Sequence, residues 1–442
     1  MTPLLTGMYT VSARLFHGRS WYGRDQTTIL QVMVLTSAKA SYKLLFMKRR
    51  YEALLVEHFK HDNQMAFIAG PRQVGKTTTG TAFDAGHLYF NWDNENDRRL
   101  FLEGPSAVAE KISVSQGRVI VFDEIHKYPL WRDFLKGFYD SYAKGRFSIV
   151  VTGSSRLDIY RKGADSLMGR YFLYHMHPLS VAELAHQKFP EKEISRPQFV
   201  SQSDYEYLER FGGFPEPFLK HNVRFFNRWK QTRLKLLFRE DLRDVTRINE
   251  VGQVELLAEF IRQQSGQLLN YASLARKIRA SQDSIRRWLE VLESLYYCFT
   301  IRPWSQNISR SLLKEPKTYL TDWSLVNDPG IRFENLVACH LLKAVTWWQD
   351  SGLGEYGLYF LRTKDKREVD FLVSKDGRPW FIVEAKSSQT RALTKGLEYF
   401  QTRTNARHAF QVVANAEYKN ADCFAYDYPV KVPAKTFLSQ LI

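Results

Sequence analysis

Eight residues near position 70 have the spacing of a loop that binds nucleotide phosphates. They read GPRQVGKT and fit the pattern GxxxxGK[ST], which arises by chance about 0.01 times in a chain of this length. The backbone N–H groups of such a loop surround phosphate oxygens, Lys76 reaches the β and γ phosphates, and the Thr77 hydroxyl contacts Mg²⁺. The predicted nucleotide-binding residues are Gly70, Pro71, Arg72, Gln73, Val74, Gly75, Lys76, Thr77 and Thr78.

Two adjacent carboxylates further along the chain complete this site. Residues 119–125 read VIVFDEI, an apolar strand that ends in Asp123 and Glu124. Asp123 is predicted to hold Mg²⁺, usually through water, and Glu124 to polarise the attacking water. The two motifs together predict a site that binds and hydrolyses ATP with Mg²⁺.

A second constellation of charged residues lies near the end of the chain. Asp370 is in the strand-like REVDFLV, and a turn leads to PWFIVEAKSS, in which Glu384 and Lys386 share one face of the returning strand. With Glu334 upstream, these four are the candidate catalytic residues of a nuclease, and Asp370 and Glu384 are its candidate Mg²⁺ ligands. The alternative is a solvated strand face, because Glu-x-Lys alone is a weak signal.

Two single residues are further candidates in the ATPase region. Ser154 or Ser155, after the apolar run SIVVTG, would sense the γ-phosphate, and the alternative is a helix N-cap. Arg170 could supply an arginine finger to a neighbouring subunit, with Arg156 as its competitor. The alternative for Arg170 is a surface arginine that pairs with an acid such as Asp165.

Alternating strands and helices must position the first site. Residues 47–195 have the pattern of a parallel α/β sheet, and the residues before the phosphate loop suit a buried strand. The strands are predicted at 65–69, 87–91, 118–123, 147–152 and 171–175.

The middle of the chain is predicted to be helical. A basic stretch from Arg224 to Arg247 is either a phosphate-facing stripe or a solvated helix face. Residues 271–279 and a helix capped by Ser281 have a helix-turn-helix rhythm, and the strand-like segments Phe299–Trp304 and Thr318–Thr321 resemble a wing. Such a winged helix contacts either DNA or another protein surface.

Composition limits the partners and the compartment. The 442 residues suggest two to four domains, and a net charge of +16 favours a polyanion, with DNA first and an anionic membrane surface second. The alternative is a basic chain whose charge only keeps it dispersed. Three scattered cysteines fit a reducing cytoplasm, and no stretch is apolar enough to span a membrane.

Residues 1–46 differ from the rest of the chain because they are basic and rich in Ser and Thr. They could be a transit peptide or an extension upstream of a natural start at Met47. We prefer the second interpretation and assign this segment no function.

The motifs resemble a prokaryotic family of AAA-like P-loop ATPases with a C-terminal domain of unknown function, from about Met47 to the end. The matching motifs are GPRQVGKTT, VFDEIHKYPLW, VTGSSRLD, LMGRY with PLSVAEL, GGFPEP, KTYLTDWSL, RFENLVACHL, EVDFLV and VEAKSS. The resemblance implies an ATPase core, a winged helix and a PD-(D/E)xK nuclease-like C-terminal domain, with the roles given above. Trp323 departs from the family pattern, which more often has a small residue there.

We therefore expect an α/β protein with five segments: a basic extension (1–46), a P-loop ATPase core (47–195), a helical lid (196–265), a winged helix (266–330) and a nuclease-like domain (331–442). Its expected function is Mg²⁺-dependent ATP hydrolysis coupled to the nuclease-like domain and acting with DNA, in the cytoplasm and in a homo-oligomer if Arg170 is a finger. One alternative is an ATP-driven DNA-binding switch with an inactive nuclease fold. The other is a regulator of protein partners with no DNA role.

Overall fold

The computed structural model describes residues 48–84, 86–115, 117–153, 167–185, 188–190, 192–242, 250–305, 315–388 and 392–442. The chain divides into two units, Met1–Phe46 and Met47–Ile442, and the described residues all belong to the second. The predictions for residues 1–46 and for Ser154, Ser155, Arg156 and Asp165 fall outside the described residues. No helix in the described part of the chain has both the length and the apolarity needed to cross a membrane.

The first sheet is parallel and has five strands in the order β2-β3-β4-β1-β5. Each predicted strand of this region is present with its ends within one residue of the prediction. The strands are β1 Met65–Ala69, β2 Leu88–Asn91, β3 Val119–Asp123, β4 Ser148–Gly153 and β5 Tyr171–His175.

Helices cover this sheet because its strands are apolar on both faces. Ala66 and Ile68 of β1 pack into one apolar cluster, whereas Met65 and Phe67 point into another, as the two-residue period of a strand requires. The helices of this region are α1 Arg50–His61, α2 Lys76–Ala82, α3 Glu95–Glu103, α4 Pro105–Ser113, α5 Trp131–Phe138 and α6 Val181–Ala185.

The middle of the chain is helical, as predicted. Its helices are α7 Gln202–Phe211, α8 Pro215–Lys220, α9 Val223–Leu236, α10 Val251–Gln263, α11 Tyr271–Ile278 and α12 Gln282–Ser294. Helix α9 continues as a π-helical turn, Leu237–Asp241. Ile285, Leu289 and Leu292 of α12 pack with α10 and α11 in a separate apolar cluster, as their helical spacing predicts.

A second sheet of seven strands runs through the rest of the chain in the order β12-β11-β10-β9-β8-β6-β7. The two predicted wing strands pair antiparallel with each other, but β6 also pairs with β8 of the C-terminal region. The wing strands are therefore the edge of the C-terminal sheet, which the sequence did not predict. The strands are β6 Cys298–Pro303, β7 Lys317–Leu320, β8 Tyr356–Arg362, β9 Glu368–Lys375, β10 Arg378–Lys386, β11 His408–Val413 and β12 Pro429–Pro433.

One long helix joins the two sheets. Asp328 caps α13 (Pro329–Asp350), which packs on β8 and β10 of the second sheet and on β5 of the first. Because it lies between two sheets, residues on nearly all of its sides are buried, including Trp347 and Trp348. The remaining helices are α14 Lys395–Thr404 and α15 Ala434–Gln440.

A buried ionic network holds α13 against the first sheet. The Glu183 carboxylate of α6 accepts from Arg49 Nε at 2.7 Å and from Lys343 Nζ of α13 at 2.5 Å. The backbone N–H of Arg50 also donates to it at 3.0 Å. Burial alone would raise the pKa of Glu183, but Arg49 and Lys343 outweigh burial and hold its pKa well below the usual range.

Removing one partner of this network should destabilise the protein strongly, because it leaves an uncompensated buried charge. We expect Lys343→Met to lower the free energy of unfolding by about 3 to 5 kcal/mol. The matched control is Lys375→Met, whose ion pair with Glu193 is partly exposed and should contribute at most about 1 kcal/mol. Urea denaturation measures the free energy of unfolding of both variants. Equal losses in the two variants would contradict a stabilising role of the buried network.

Candidate functional site

The phosphate loop lies directly after β1, at the carboxyl edge of the parallel sheet. A Cβ at Gly70 would lie 2.4 Å from the carbonyl oxygen of Met176, so only glycine fits there. Gly75 has a φ of 102°, which favours glycine, and caps the start of α2. Lys76 follows, and its Nζ donates to the carbonyl oxygens of Gly70 at 2.9 Å and Pro71 at 2.8 Å. The lysine side chain therefore folds back across its own loop.

Lys76 is buried, and burial lowers its pKa to about 8 although Glu124 and Asp123 oppose the shift. The negative charge of bound phosphates would stabilise the ammonium form of this lysine. The same loop is fixed from outside, because Arg49 donates to the carbonyl oxygen of Val74.

Asp123 is held by three hydroxyl groups at the end of β3. Its Oδ2 accepts from Thr77 Oγ1 and from the Tyr89 hydroxyl, each at 2.8 Å, and its Oδ1 accepts from Thr152 Oγ1 at 2.5 Å. Thr77 and Asp123 thus face each other with oxygen ligands of the kind that Mg²⁺ prefers. These residues fit the predicted Mg²⁺ ion. No sequence motif indicated Tyr89 or Thr152, although β2 and β4 flank β3 and Thr152 lies next to the carboxyl end of β4.

Glu124 adopts a left-handed backbone conformation with a φ of 54°, immediately after β3. Its N–H donates to the carbonyl oxygen of Thr152 at 3.0 Å, which fixes the turn. Its Oε2 lies 3.3 Å from Nζ of Lys127, which also pairs with Asp93 at 2.6 Å. The carboxylate therefore stands beside Asp123 at the edge of the sheet, where a water-polarising group is required.

The loop also contacts the helical middle of the chain. Arg72 Nη2 pairs with Asp241 Oδ1 at 2.5 Å. A cavity of about 150 Å³ lies between loop residues 70–73 and the segment that contains Arg233 and Asp241. The helical segment therefore contacts the nucleotide loop through this ion pair and lines a cavity beside it.

Arg170 lies at the opposite edge of the sheet from the loop. Its carbonyl oxygen accepts from the N–H of Met65 at the start of β1, whereas the loop follows the end of β1. Its guanidinium donates two hydrogen bonds of 2.8 Å to the carboxylate of Asp140, which agrees with the alternative of an arginine that pairs with a nearby acid. Arg170 is therefore too far away to act on its own chain's loop, and a finger role requires a neighbouring subunit.

The predicted C-terminal residues do converge at one place. Val383 of β10 pairs with Phe371 of β9, and the Ala385 N–H donates to Asp370 Oδ2 at 2.9 Å. Lys386 Nζ lies 2.6 Å from Glu384 Oε1, and Thr394 donates to the other oxygen of Glu384. The antiparallel hairpin thus places the Asp and the Glu-x-Lys of the motif side by side.

A lysine that the sequence analysis did not identify lies among these carboxylates. Lys317 Nζ of β7 is 2.5 Å from Glu368, 3.6 Å from Glu334 and 4.0 Å from Asp370. The Tyr319 hydroxyl, also from β7, donates to Glu334 at 2.8 Å. We call Lys317, Tyr319, Glu334, Glu368 and Asp370 the C-terminal cluster. The sequence did carry a signal for Glu368, because this residue lies two positions before Asp370 and therefore on the same strand face.

The C-terminal cluster does not fit the predicted Mg²⁺ ion. Asp370 and Glu384 were the predicted ligands, but lysines lie beside both, and Glu384 also bonds Thr394. Among the described residues, no three His, Cys, Asp or Glu side chains are grouped as ligands of one metal ion. Burial and the charge of Glu334 raise the pKa of Asp370 to about 7, although Lys317 opposes this shift.

The basic helix α9 is exposed along one side only. Arg224, Arg228 and Lys235 are exposed at spacings of four and seven, which places them on one face. Arg233 does not belong to this face, because its side chain is only 13% exposed, pairs with Asp322 at 3.0 Å and lies over the ring of Phe214. It stays a prediction that this face contacts phosphates, and Arg247, at the end of the basic stretch, lies outside the described residues.

Three family models match the chain. Residues 62–185 match a family described as an AAA domain, residues 202–329 match a domain of unknown function (DUF8612), and residues 329–430 match another (DUF4143). The first match covers the phosphate loop, Asp123 and Glu124. The boundary between the second and third matches lies at the start of α13.

Similar proteins of uncharacterized function occur in bacteria and archaea. An uncharacterized protein of Mycobacterium tuberculosis, Rv2008c, is 23% identical over 379 residues, which are 82% of this chain and 79% of that protein. An uncharacterized protein of Methanocaldococcus jannaschii, MJ1544, is 23% identical over 371 residues, 79% of this chain and 80% of that protein.

Solved structures resemble the chain only distantly. Aeropyrum pernix ORC1 in complex with DNA is 12% identical, covers 65% of this chain and 91% of its own, and has a TM-score of 0.30. Thermotoga maritima RuvB is 15% identical, covers 57% and 86%, and has a TM-score of 0.29. TM-scores of 0.30 and below do not show a shared fold. The family match and the geometry of the phosphate loop together identify residues 62–185 as an AAA-type P-loop ATPase domain.

Thr152 gives a direct test of how Asp123 is positioned. Thr152→Val removes the hydroxyl that fixes Asp123 and should lower kcat for ATP hydrolysis about 10- to 100-fold, with KM for ATP nearly unchanged. Thr152→Ser retains the hydroxyl and should recover most of the rate. A steady-state phosphate-release assay compares the two variants. Equal values of kcat for the Val and Ser variants would mean that the hydrogen bond from Thr152 to Asp123 does not contribute to ATP hydrolysis.

Proposed function

We propose that the protein is a Mg²⁺-dependent ATPase that acts with DNA and couples ATP hydrolysis to its nuclease-like C-terminal domain. The observation that carries the proposal is the convergence of Lys76, Thr77 and Asp123 at the carboxyl edge of the first sheet. The AAA family match over residues 62–185 supports it.

The predicted residues of the nucleotide site have separate roles in this proposal. The backbone N–H groups and Lys76 would bind the β and γ phosphates, while Thr77 and Asp123 would hold Mg²⁺. When bound, Mg²⁺ would neutralise charge on the phosphates. Glu124 would orient and polarise the attacking water, and Ser154 would sense the γ-phosphate. A neighbouring subunit's Arg170, released from Asp140, would stabilise the charge that develops there.

The contacts of the nucleotide site suggest how ATP would act on the rest of the chain. Arg72 of the loop holds Asp241 of the helical segment, and Arg49 joins the carbonyl of Val74 to Glu183 and so to α13. Bound phosphate would compete with Asp241 for Arg72. ATP turnover would then shift the helical and C-terminal parts relative to the core.

A polyanionic partner fits the charge of the chain. The net charge is +16, and α9 exposes Arg224, Arg228 and Lys235 on one face. Helix α12 adds the exposed Arg286 and Arg287. Such surfaces bind nucleic-acid backbones with a strong dependence on salt. A cytoplasmic location fits the three cysteines, Cys298, Cys339 and Cys423, which form no disulfide.

The second candidate is a DNA-binding switch whose nuclease-like domain does not cut. The observation that favours it is the contact of Lys317 with the carboxylates that a nuclease would use for a metal ion. Incubating the protein with linear and circular DNA, Mg²⁺ and ATP distinguishes the candidates. Cutting that is lost in Asp370→Ala and Glu384→Ala would establish the nuclease, whereas DNA-stimulated ATP hydrolysis without cutting would establish the switch.

Glu124 is predicted to act in hydrolysis rather than in binding. Glu124→Gln should lower the hydrolysis rate about 100- to 10,000-fold because it removes the group that polarises water. It should bind a fluorescent ATP analogue as the unaltered protein does, whereas Lys76→Ala should lose binding. If Glu124→Gln hydrolyses ATP normally, the proposed role of Glu124 is wrong.

The exposed face of α9 can be tested by charge reversal. Arg224→Glu combined with Arg228→Glu should weaken DNA binding and reduce the slope of log affinity against log salt by about 2, one unit for each lost phosphate contact. The control, Lys60→Glu with Lys364→Glu, changes the net charge equally at two other exposed positions. Equal effects in both variants, with ATP hydrolysis indifferent to DNA, would favour a regulator of protein partners.

A further inference from the structure

Lys317 is supplied to the C-terminal cluster by a different part of the chain from the carboxylates. It begins β7, in the segment matched by the DUF8612 model, whereas Glu334, Glu368 and Asp370 lie in the segment matched by the DUF4143 model. Its backbone position is fixed by pairing with Ile301 of β6 and by a bridge to Leu268. The lysine is therefore built into the sheet.

The ammonium group of this lysine is buried among carboxylates. The side chain is 4% exposed, and its Nζ lies within 4.0 Å of three carboxylates, the closest at 2.5 Å. A buried ammonium is stable only when it is paired, and three clustered carboxylates are stable only beside a cation. Each group therefore supplies the charge that the other requires.

We propose that Lys317 is the resident cation of the C-terminal cluster, placed where a nuclease would hold a divalent ion. Its ammonium joins Glu334, Glu368 and Asp370, so that the cluster is complete without a metal ion. Lys386 does the same for Glu384 at 2.6 Å. The nuclease-like surface then serves to bind its partner and not to cleave it. This inference rests on the proposed function and selects its DNA-binding form.

The experiment titrates Mn²⁺ into the full-length chain by isothermal titration calorimetry without nucleotide. Lys317→Met removes the ammonium at similar length and leaves Glu334 and Asp370 without this lysine, while Arg362 still pairs with Glu368. We expect this variant to bind one Mn²⁺ ion per chain more than the unaltered protein does. The affinity of the additional site should be at least about 10-fold higher than that of any Mn²⁺ binding at the C-terminal cluster of the unaltered protein. Lys317→Met with Asp370→Asn should lose the additional site. Lys375→Met, which removes a partly exposed lysine of β9 that pairs with Glu193, should gain none.

A second comparison does not depend on the folding of the Met variant. Asp370→Asn in the presence of Lys317 should leave the Mn²⁺ titration unchanged, because the cluster holds no metal ion while the lysine is there. Lys317→Arg keeps the positive charge and should titrate as the unaltered protein does. Mn²⁺ binding by the unaltered protein that disappears in Asp370→Asn would overturn the proposal, and so would a Lys317→Met variant that folds and gains no site.

These outcomes are separate from those that test the proposed function. Loss of ATP hydrolysis or of DNA binding would contradict the proposed function and leave the Mn²⁺ result intact. Metal-dependent cleavage by the unaltered protein that requires Asp370 would overturn the role of Lys317 and leave an ATP-coupled nuclease standing.

Discussion

The buried carboxylate of Glu183 is the constraint on which the arrangement of the two sheets depends. Its oxygens bind Arg49, which holds the phosphate loop at Val74, and Lys343, which belongs to the helix between the sheets. A buried carboxylate cannot be left without such partners, because desolvating a lone charge is costly. The loop and α13 are consequently fixed to one group, and neither can move without disturbing it.

The carboxylates of the two candidate sites have different partners. At the first, Asp123 is held by neutral hydroxyls from Thr77, Tyr89 and Thr152, so that its negative charge remains free to bind a cation. At the second, lysine side chains already lie against the carboxylates. We therefore propose that the first site takes the metal–nucleotide complex, whereas the second has its positive charge built in. This contrast is the basis for proposing that catalysis belongs to the ATPase domain.

The sequence predicted what depends on local pattern and missed what depends on distant pairing. The strands of the first sheet and the hairpin that carries Asp370 and Glu384 followed from apolar runs, turns and motif spacing. The pairing of β6 with β8 did not, because its partners are far apart in the chain and strand pairing leaves no local signal. Lys317, Thr152 and Tyr89 were missed for the same reason. Thr152 and Tyr89 reach Asp123 from the strands beside β3, and Lys317 comes from β7, which β8 and β6 separate from β9. Charge alone also did not reveal that Arg233, within the basic stretch, pairs with Asp322.

Hydrogen exchange of the full chain, with and without a non-hydrolysable ATP analogue and Mg²⁺, tests the central claim most directly. That claim is that the nucleotide loop and α13 respond together through Glu183. The account predicts added protection of residues 70–78 and also of α6 and the part of α13 around Lys343, with none in Lys76→Ala. Protection confined to residues 70–78, with α6 and α13 unchanged, would contradict the account.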